Sequence, residues 1–187
     1  RHTKLQGDWS SDVCSSDLSS RPAARATLAR MKNLVLVGFM GTGKTDVGQR
    51  AAARLGLRFV DTDHVIEQRA GRTIADIFAK EGEPHFRGLE RAVVQELAAQ
   101  QDLVIATGGG IVLNPDNLRD LSATGIVVCL WAEPDVILKR TQHHNHRPLL
   151  EDPDRATRIT DLLRQREPLY KSIPLRVDNT HTTVEQD

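Results

Sequence analysis

The sequence predicts an α/β fold in which a parallel sheet carries helices on both faces. Two observations carry that expectation. From Met31 onward, short apolar runs rich in β-branched residues alternate with segments of helical periodicity. The first of these runs feeds a glycine-rich loop that opens directly into a helix, and the second ends in two carboxylates, Asp61 and Asp63.

Strands are expected over residues 34–37, 57–60, 103–106, 126–130 and 175–177. Helices are expected over 44–55, 84–99, 115–121, 134–141 and 153–169, with proline opening four of them, where its missing N–H goes unused. Residues 1–30 have neither strand nor sustained helix periodicity, and residues 7–18 resemble translated sequencing-adapter read-through. That leader is expected to be non-native or disordered, with the domain spanning residues 31–187. Near the other end, Thr182 and Glu185 are spaced like a capping box with no helix body after it, so a C-terminal helix is expected to be cut short.

A chain of 187 residues is long enough to bury one ordinary core without disulfides or a structural metal. Its 25 basic and 25 acidic residues cancel, so no long-range field draws it to nucleic acid or to anionic lipid, and any anionic ligand must be gripped locally. Cys14 and Cys129 are far apart, which argues against a disulfide framework and for a reducing cytoplasm. No apolar run reaches the roughly 18 residues of a membrane span.

The glycine-rich loop reads Gly38-Phe39-Met40-Gly41-Thr42-Gly43-Lys44-Thr45, the pattern G-x-x-x-x-G-K-[ST] between a strand and a helix. Its glycines let successive N–H groups turn inward onto phosphate oxygens at the positive end of the helix. Gly41, Thr42, Gly43, Lys44, Thr45 and Asp46 are therefore read as ATP-binding, with Lys44 facing the β and γ phosphates and the Thr45 hydroxyl offered to Mg²⁺. Asp46 either repels the nucleotide or faces outward; the outward reading is favoured, since negative charge in a first helical turn gains roughly 0.3–1 kcal/mol. A GTPase switch would need N-K-x-D and D-x-x-G strings, and the chain has neither.

Asp61-Thr62-Asp63 falls at the carboxyl edge of the sheet, where such folds bind ligands. If strand alternation persists, both carboxylates point one way, Asp61 toward the metal and Asp63 toward an attacking hydroxyl. The alternative is an Asp-x-Asp that caps the next helix.

Further motifs follow in order: Ile74-Ala75-Asp76-Ile77-Phe78, Gly82-Glu83-Pro84-His85-Phe86-Arg87-Gly88-Leu89-Glu90, Gly108-Gly109-Gly110, Arg147-Pro148-Leu149-Leu150 and Arg166-Glu167-Pro168-Leu169-Tyr170. With the phosphate loop and Asp-Thr-Asp, they resemble the shikimate kinases from residue 31 to about 177. The resemblance implies a P-loop NTPase of the nucleoside-monophosphate-kinase-like type, with a five-stranded parallel sheet, a mobile lid and a helical substrate subdomain. It implies ATP-dependent phosphorylation of the shikimate 3-hydroxyl with Mg²⁺, by a cytoplasmic monomer with no nucleic-acid or membrane partner. By the same resemblance Asp63 binds the ring hydroxyls and is the expected base, Arg87 and Arg166 hold the carboxylate, and Gly109 and Gly110 approach the substrate through their backbone. Arg147, in a polar loop over residues 141–148, would reach the transferring phosphate, and Arg140 would stack on the adenine.

His143, His144 and His146 invite a structural-metal reading, which no cysteine or second cluster supports. Phe78 and Phe86 are assigned to the core or to the substrate side. A gluconate kinase of the same fold is the nearest rival, and Gly108-Gly109-Gly110, Arg87 and Arg166 speak against it. A sensor that kept the fold and lost turnover is disfavoured by Lys44, Asp61, Asp63 and Arg147.

Overall fold

A computed structural model describes residues 33–141 and 155–181. The leader, the loop carrying Arg147 with its three histidines, and the Thr182 to Glu185 capping box all lie outside the described residues. Five strands form one parallel sheet: β1 (Asn33–Gly38), β2 (Arg58–Asp61), β3 (Leu103–Ala106), β4 (Gly125–Trp131) and β5 (Leu175–Asp178), in the order β2-β3-β1-β4-β5. The apolar runs read from the sequence fall on these strands. Central β1 and β3 carry a near-continuous apolar face on both sides, with Val35, Val37, Val104 and Ile105 fully buried, as a sheet covered by helices requires.

Local chemistry sets the helix ends. Helix α1 (Lys44–Leu55) begins after Gly43 and stops at Gly56, both left-handed. Helix α2 (Thr62–Ala70) is capped by Asp61, whose Oδ1 accepts the Asp63 and His64 N–H groups at 3.0 and 3.4 Å. Helix α3 (Ile74–Ala98) is capped by the Thr73 hydroxyl on Asp76 N at 3.1 Å. Caps of this kind are worth about 1 kcal/mol each.

Helix α3 breaks at Gly82 (φ 80°, ψ 172°), a conformation closed to side-chain-bearing residues. Its second half restarts with Pro84 in the first turn, which is where the sequence places a helix start. A short 3₁₀ turn (Ile111–Leu113) leads into α4 (Pro115–Thr124), capped by Asn114. Helices α5 (Pro134–Thr141) and α6 (Arg155–Lys171) lie between β4 and β5 in the chain.

The structure adds α2 and the first half of α3, which the apolar pattern does not predict. It also corrects the reading of Asp61-Thr62-Asp63 as continuous strand. The strand stops at Asp61 and Asp63 lies in the first turn of α2, so alternation does not govern the pair. Among the described residues, no helix is long and apolar enough to cross a membrane.

Because all the strands run parallel, their carboxyl ends share one edge. The phosphate loop leaves β1 there, Asp61 ends β2, Gly108-Gly109-Gly110 follows β3, and Asn179 follows β5.

Candidate active site at the carboxyl edge of the sheet

The phosphate loop is held by its own polar groups. Thr42 Oγ1 donates to Phe39 O at 2.8 Å, and Lys44 Nζ, 8% exposed, donates to Gly38 O and Phe39 O at 2.9 and 2.8 Å. Gly41 and Gly43 adopt φ of 77° and 82°, which only glycine takes without strain. Gly43 brings no side chain to cap α1, so the first-turn N–H groups keep their capacity for an anion. Asp46 is exposed in that first turn, consistent with the outward reading.

The two oxygens of Asp61 divide their work. Oδ1 caps α2, while Oδ2 accepts a hydrogen bond from Thr45 Oγ1 at 3.0 Å. The capping alternative is therefore present, and it occupies one oxygen only, leaving the other on the Thr45 hydroxyl.

The triple glycine forms a floor on which the Asp63 and Arg87 side chains rest close to backbone. A Cβ on Gly108 would lie 2.5 Å from Asp63 Oδ1 and 3.4 Å from Glu90 Oε1, and one on Gly110 would overlap the Arg87 guanidinium. Gly109 is pressed toward the phosphate loop, 3.4 Å separating such a Cβ from Met40 N. Gly108 N donates to Thr62 Oγ1 at 3.0 Å, fixing the floor to the start of α2.

Arg87 donates through Nη1 to Glu90 Oε2 and through Nη2 to Glu83 Oε1, both at 2.9 Å. Burial opposes its charge, but Glu90 and Glu83 outweigh burial and hold it cationic. Beside it a groove of about 390 Å³ opens between Glu83, Arg87 and Glu90 on α3 and Leu113 and Asn117. Arg166, 7% exposed, projects from α6 with its guanidinium carbon 6.0 Å from the Phe39 ring centroid. Phe86 is buried, and its ring centroid is 4.8 Å from that of Phe78, so the pair packs as core with the Arg87 guanidinium over the Phe86 ring.

On the nucleotide side Arg140 donates to Asn179 O at 2.9 Å and to Gly41 O at 3.5 Å. Lys44, Thr45, Asp61, Asp63, Arg87, Gly109, Gly110 and Arg166 gather along this edge, with Arg140 bordering the loop. Arg147 lies outside the described residues.

Sequence reasoning missed Glu90, Tyr170 and Asn179. Asn179 Nδ2 donates to Thr42 O at 2.8 Å, bracing the phosphate loop from β5. Glu90 stands one helical turn from Arg87, and Tyr170 one turn from Arg166. That spacing was the available signal.

Glu90 is 1% exposed, and its Oε1 has no hydrogen-bond partner among the described residues. Burial raises its pKa above 4.5, Arg87 opposes the rise, and Asp63 adds to it. A folded state that holds this proton more tightly than the unfolded chain loses stability as pH climbs from 4.5 through the raised value. The melting temperature of Glu90→Gln minus that of wild type should therefore increase across this window and level off above it. A difference that stays flat between about pH 4 and pH 8 would show that Glu90 titrates normally.

A family model described as shikimate kinase matches residues 40–187. A shikimate kinase of Pelotomaculum thermopropionicum is 47% identical over 156 residues, covering 83% of this chain and 91% of that protein. One from Caldanaerobacter subterraneus is 46% identical over the same lengths. The structure of a shikimate kinase from Acinetobacter baumannii in complex with shikimate superposes with a TM-score of 0.81 at 40% identity, covering 87% of this chain and 90% of that one. A gluconokinase from Sinorhizobium meliloti, at 16% identity and a TM-score of 0.53, shares the fold alone.

Proposed function

The chain belongs to the shikimate kinase family, and from that premise we propose how its residues divide the transfer of the ATP γ-phosphoryl group to the 3-hydroxyl of shikimate. The observation that carries this division is the meeting of two subsites: Gly109, in the acceptor floor, lies against the phosphate loop at Met40. A hydroxyl held over that floor by carboxylates and arginines has the phosphate end of a loop-bound nucleotide beside it.

The loop N–H groups and Lys44 bind the β and γ phosphates and offset the charge that spreads over the transferring group. Arg87 and Arg166 take the substrate carboxylate, for which planar guanidinium forks are suited. Gly109 and Gly110 give the ring close access to backbone. Asp63 accepts a hydrogen bond from the 3-hydroxyl and receives its proton as the new O–P bond forms and the β–γ bridging bond breaks, leaving ADP. Arg147 reaches the transferring phosphate, and Arg140 lies along the adenine.

Mg²⁺ is the metal of this reading. Thr45 Oγ1 and Asp61 Oδ2, hydrogen-bonded to each other at 3.0 Å, are the hard oxygen donors that would hold it. When bound, the ion neutralises charge on the β and γ phosphates. The reading is of a cytoplasmic monomer working on small anions; zero formal net charge gives it no long-range field toward nucleic acid or membranes.

ADP release tests the reading, with shikimate, gluconate or no acceptor added to ATP and Mg²⁺. Turnover should require shikimate, vanish with a chelator and return with Mg²⁺. Acceptor-independent ADP release, or a preference for gluconate, would contradict it.

A further inference from the structure

Tyr170 is fully buried on α6, yet the reaction as described gives it no part. Its hydroxyl donates to Gly109 O at 2.5 Å, across 61 residues of sequence. The Arg166 guanidinium, one helical turn earlier on α6, stands near enough for its charge to act on that hydroxyl. Since guanidinium groups only donate, Arg166 can address only the tyrosine oxygen, which leaves the O–H for the Gly109 carbonyl. Burial pushes the hydroxyl well above its ordinary pKa, so it stays a donor at working pH.

The carbonyl of Gly109 and the N–H of Gly110 belong to one peptide unit. In a trans peptide they point in opposite directions, and this chain has no cis bonds among the described residues. A bond that fixes the carbonyl toward α6 therefore fixes the Gly110 N–H away from it, and also strengthens that N–H as a donor. The carbonyls on either side, Gly108 O and Gly110 O, accept from Ile111 N and Leu113 N, so the tyrosine oxygen holds the one peptide between them, where two glycines leave the widest backbone range.

We propose that the Tyr170 hydroxyl is a positioning group for acceptor binding, locking the Gly109–Gly110 peptide and the Arg166 guanidinium into one register. The inference rests on the reading of Gly110 and Arg166 as acceptor contacts. Tyr170 need not touch the substrate; it sets where two of the substrate's partners stand before the substrate arrives.

Tyr170→Phe removes the hydroxyl and keeps the buried ring. It should raise KM for shikimate about tenfold, the worth of one well-placed hydrogen bond, with kcat and KM for ATP near wild type. Ile159→Val, a fully buried change on the same helix and away from the site, controls for loosened packing and should leave both KM values unchanged. Tyr170 is also the single tyrosine in the chain, so 3-fluorotyrosine incorporation labels that position alone. Its fluorine resonance should shift on adding shikimate to the full-length protein.

A wild-type shikimate KM in Tyr170→Phe, equal rises in both KM values in the two variants, or a fluorine resonance indifferent to saturating shikimate would overturn the inference. Wild-type protein without shikimate turnover would instead overturn the underlying reading of the site.

Discussion

Asp63→Asn lowers shikimate-dependent kcat by about two to four orders of magnitude, the range by which a positioned acid or base speeds proton transfer. The substitution keeps the side chain's shape and removes its charge and its capacity to take a proton. The helix it sits on should survive, because the cap of α2 comes from Asp61 Oδ1, and the floor beneath it is tied to Thr62. ATP affinity, read by titration in the absence of shikimate, should stay near wild type. A variant retaining more than about a tenth of wild-type kcat would remove Asp63 from the proton-accepting role. If kcat is kept and KM for shikimate rises, the carboxylate orients the hydroxyl without deprotonating it.

Lys44→Met is expected to cost about two to three orders of magnitude in kcat, comparable to deleting one preorganised charge-stabilising donor, and to weaken ATP as well. The aliphatic stem is retained, so loss of packing is small. What disappears is the ammonium group of a buried lysine, which donates to Gly38 O and Phe39 O. In such a water-poor position charge acts with less screening than at the surface. Measurement of single-turnover rates with saturating ATP separates the two effects. Near-normal single-turnover chemistry with weakened ATP binding would confine Lys44 to the ground state.

The two variants should damage different halves of the reaction. Asp63→Asn leaves the nucleotide half intact, whereas Lys44→Met touches it directly. Intact ATP binding in both, or lost ATP binding in both, would contradict the division into a phosphate loop and an acceptor floor.

What could be read from the sequence was what local order encodes. The phosphate loop is eight consecutive residues whose spacing is its function, and its strand and helix flanks were where the pattern put them. The central strands were legible because a sheet buried on both faces needs unbroken apolar runs, as in Leu103–Ala106. Helix α2 was not legible by periodicity: with Asp63, His64, Glu67, Gln68 and Arg69 on nine residues it shows only a thin apolar stripe. Its ends were nevertheless written in Asp61 and Gly71, and the start of the next helix in Thr73.

Partners distant in sequence were harder. Nothing near Asn179 says that its amide will brace Thr42, 137 residues away, and nothing near Tyr170 names the Gly109 carbonyl. Such contacts are products of strand order, and strand order is set by packing of the whole sheet. Asp61 shows a different limit: a helix cap uses one carboxylate oxygen and leaves the second for another partner, here the Thr45 hydroxyl, so capping alone does not decide what else the residue does.

Phosphorus–proton NMR correlation of the product formed from ATP and shikimate tests the central claim most directly. The account predicts a phosphate ester coupled to the proton on the carbon bearing the 3-hydroxyl, formed in equal amount to ADP. An ester on another hydroxyl, or ADP accompanied only by free phosphate, would contradict it.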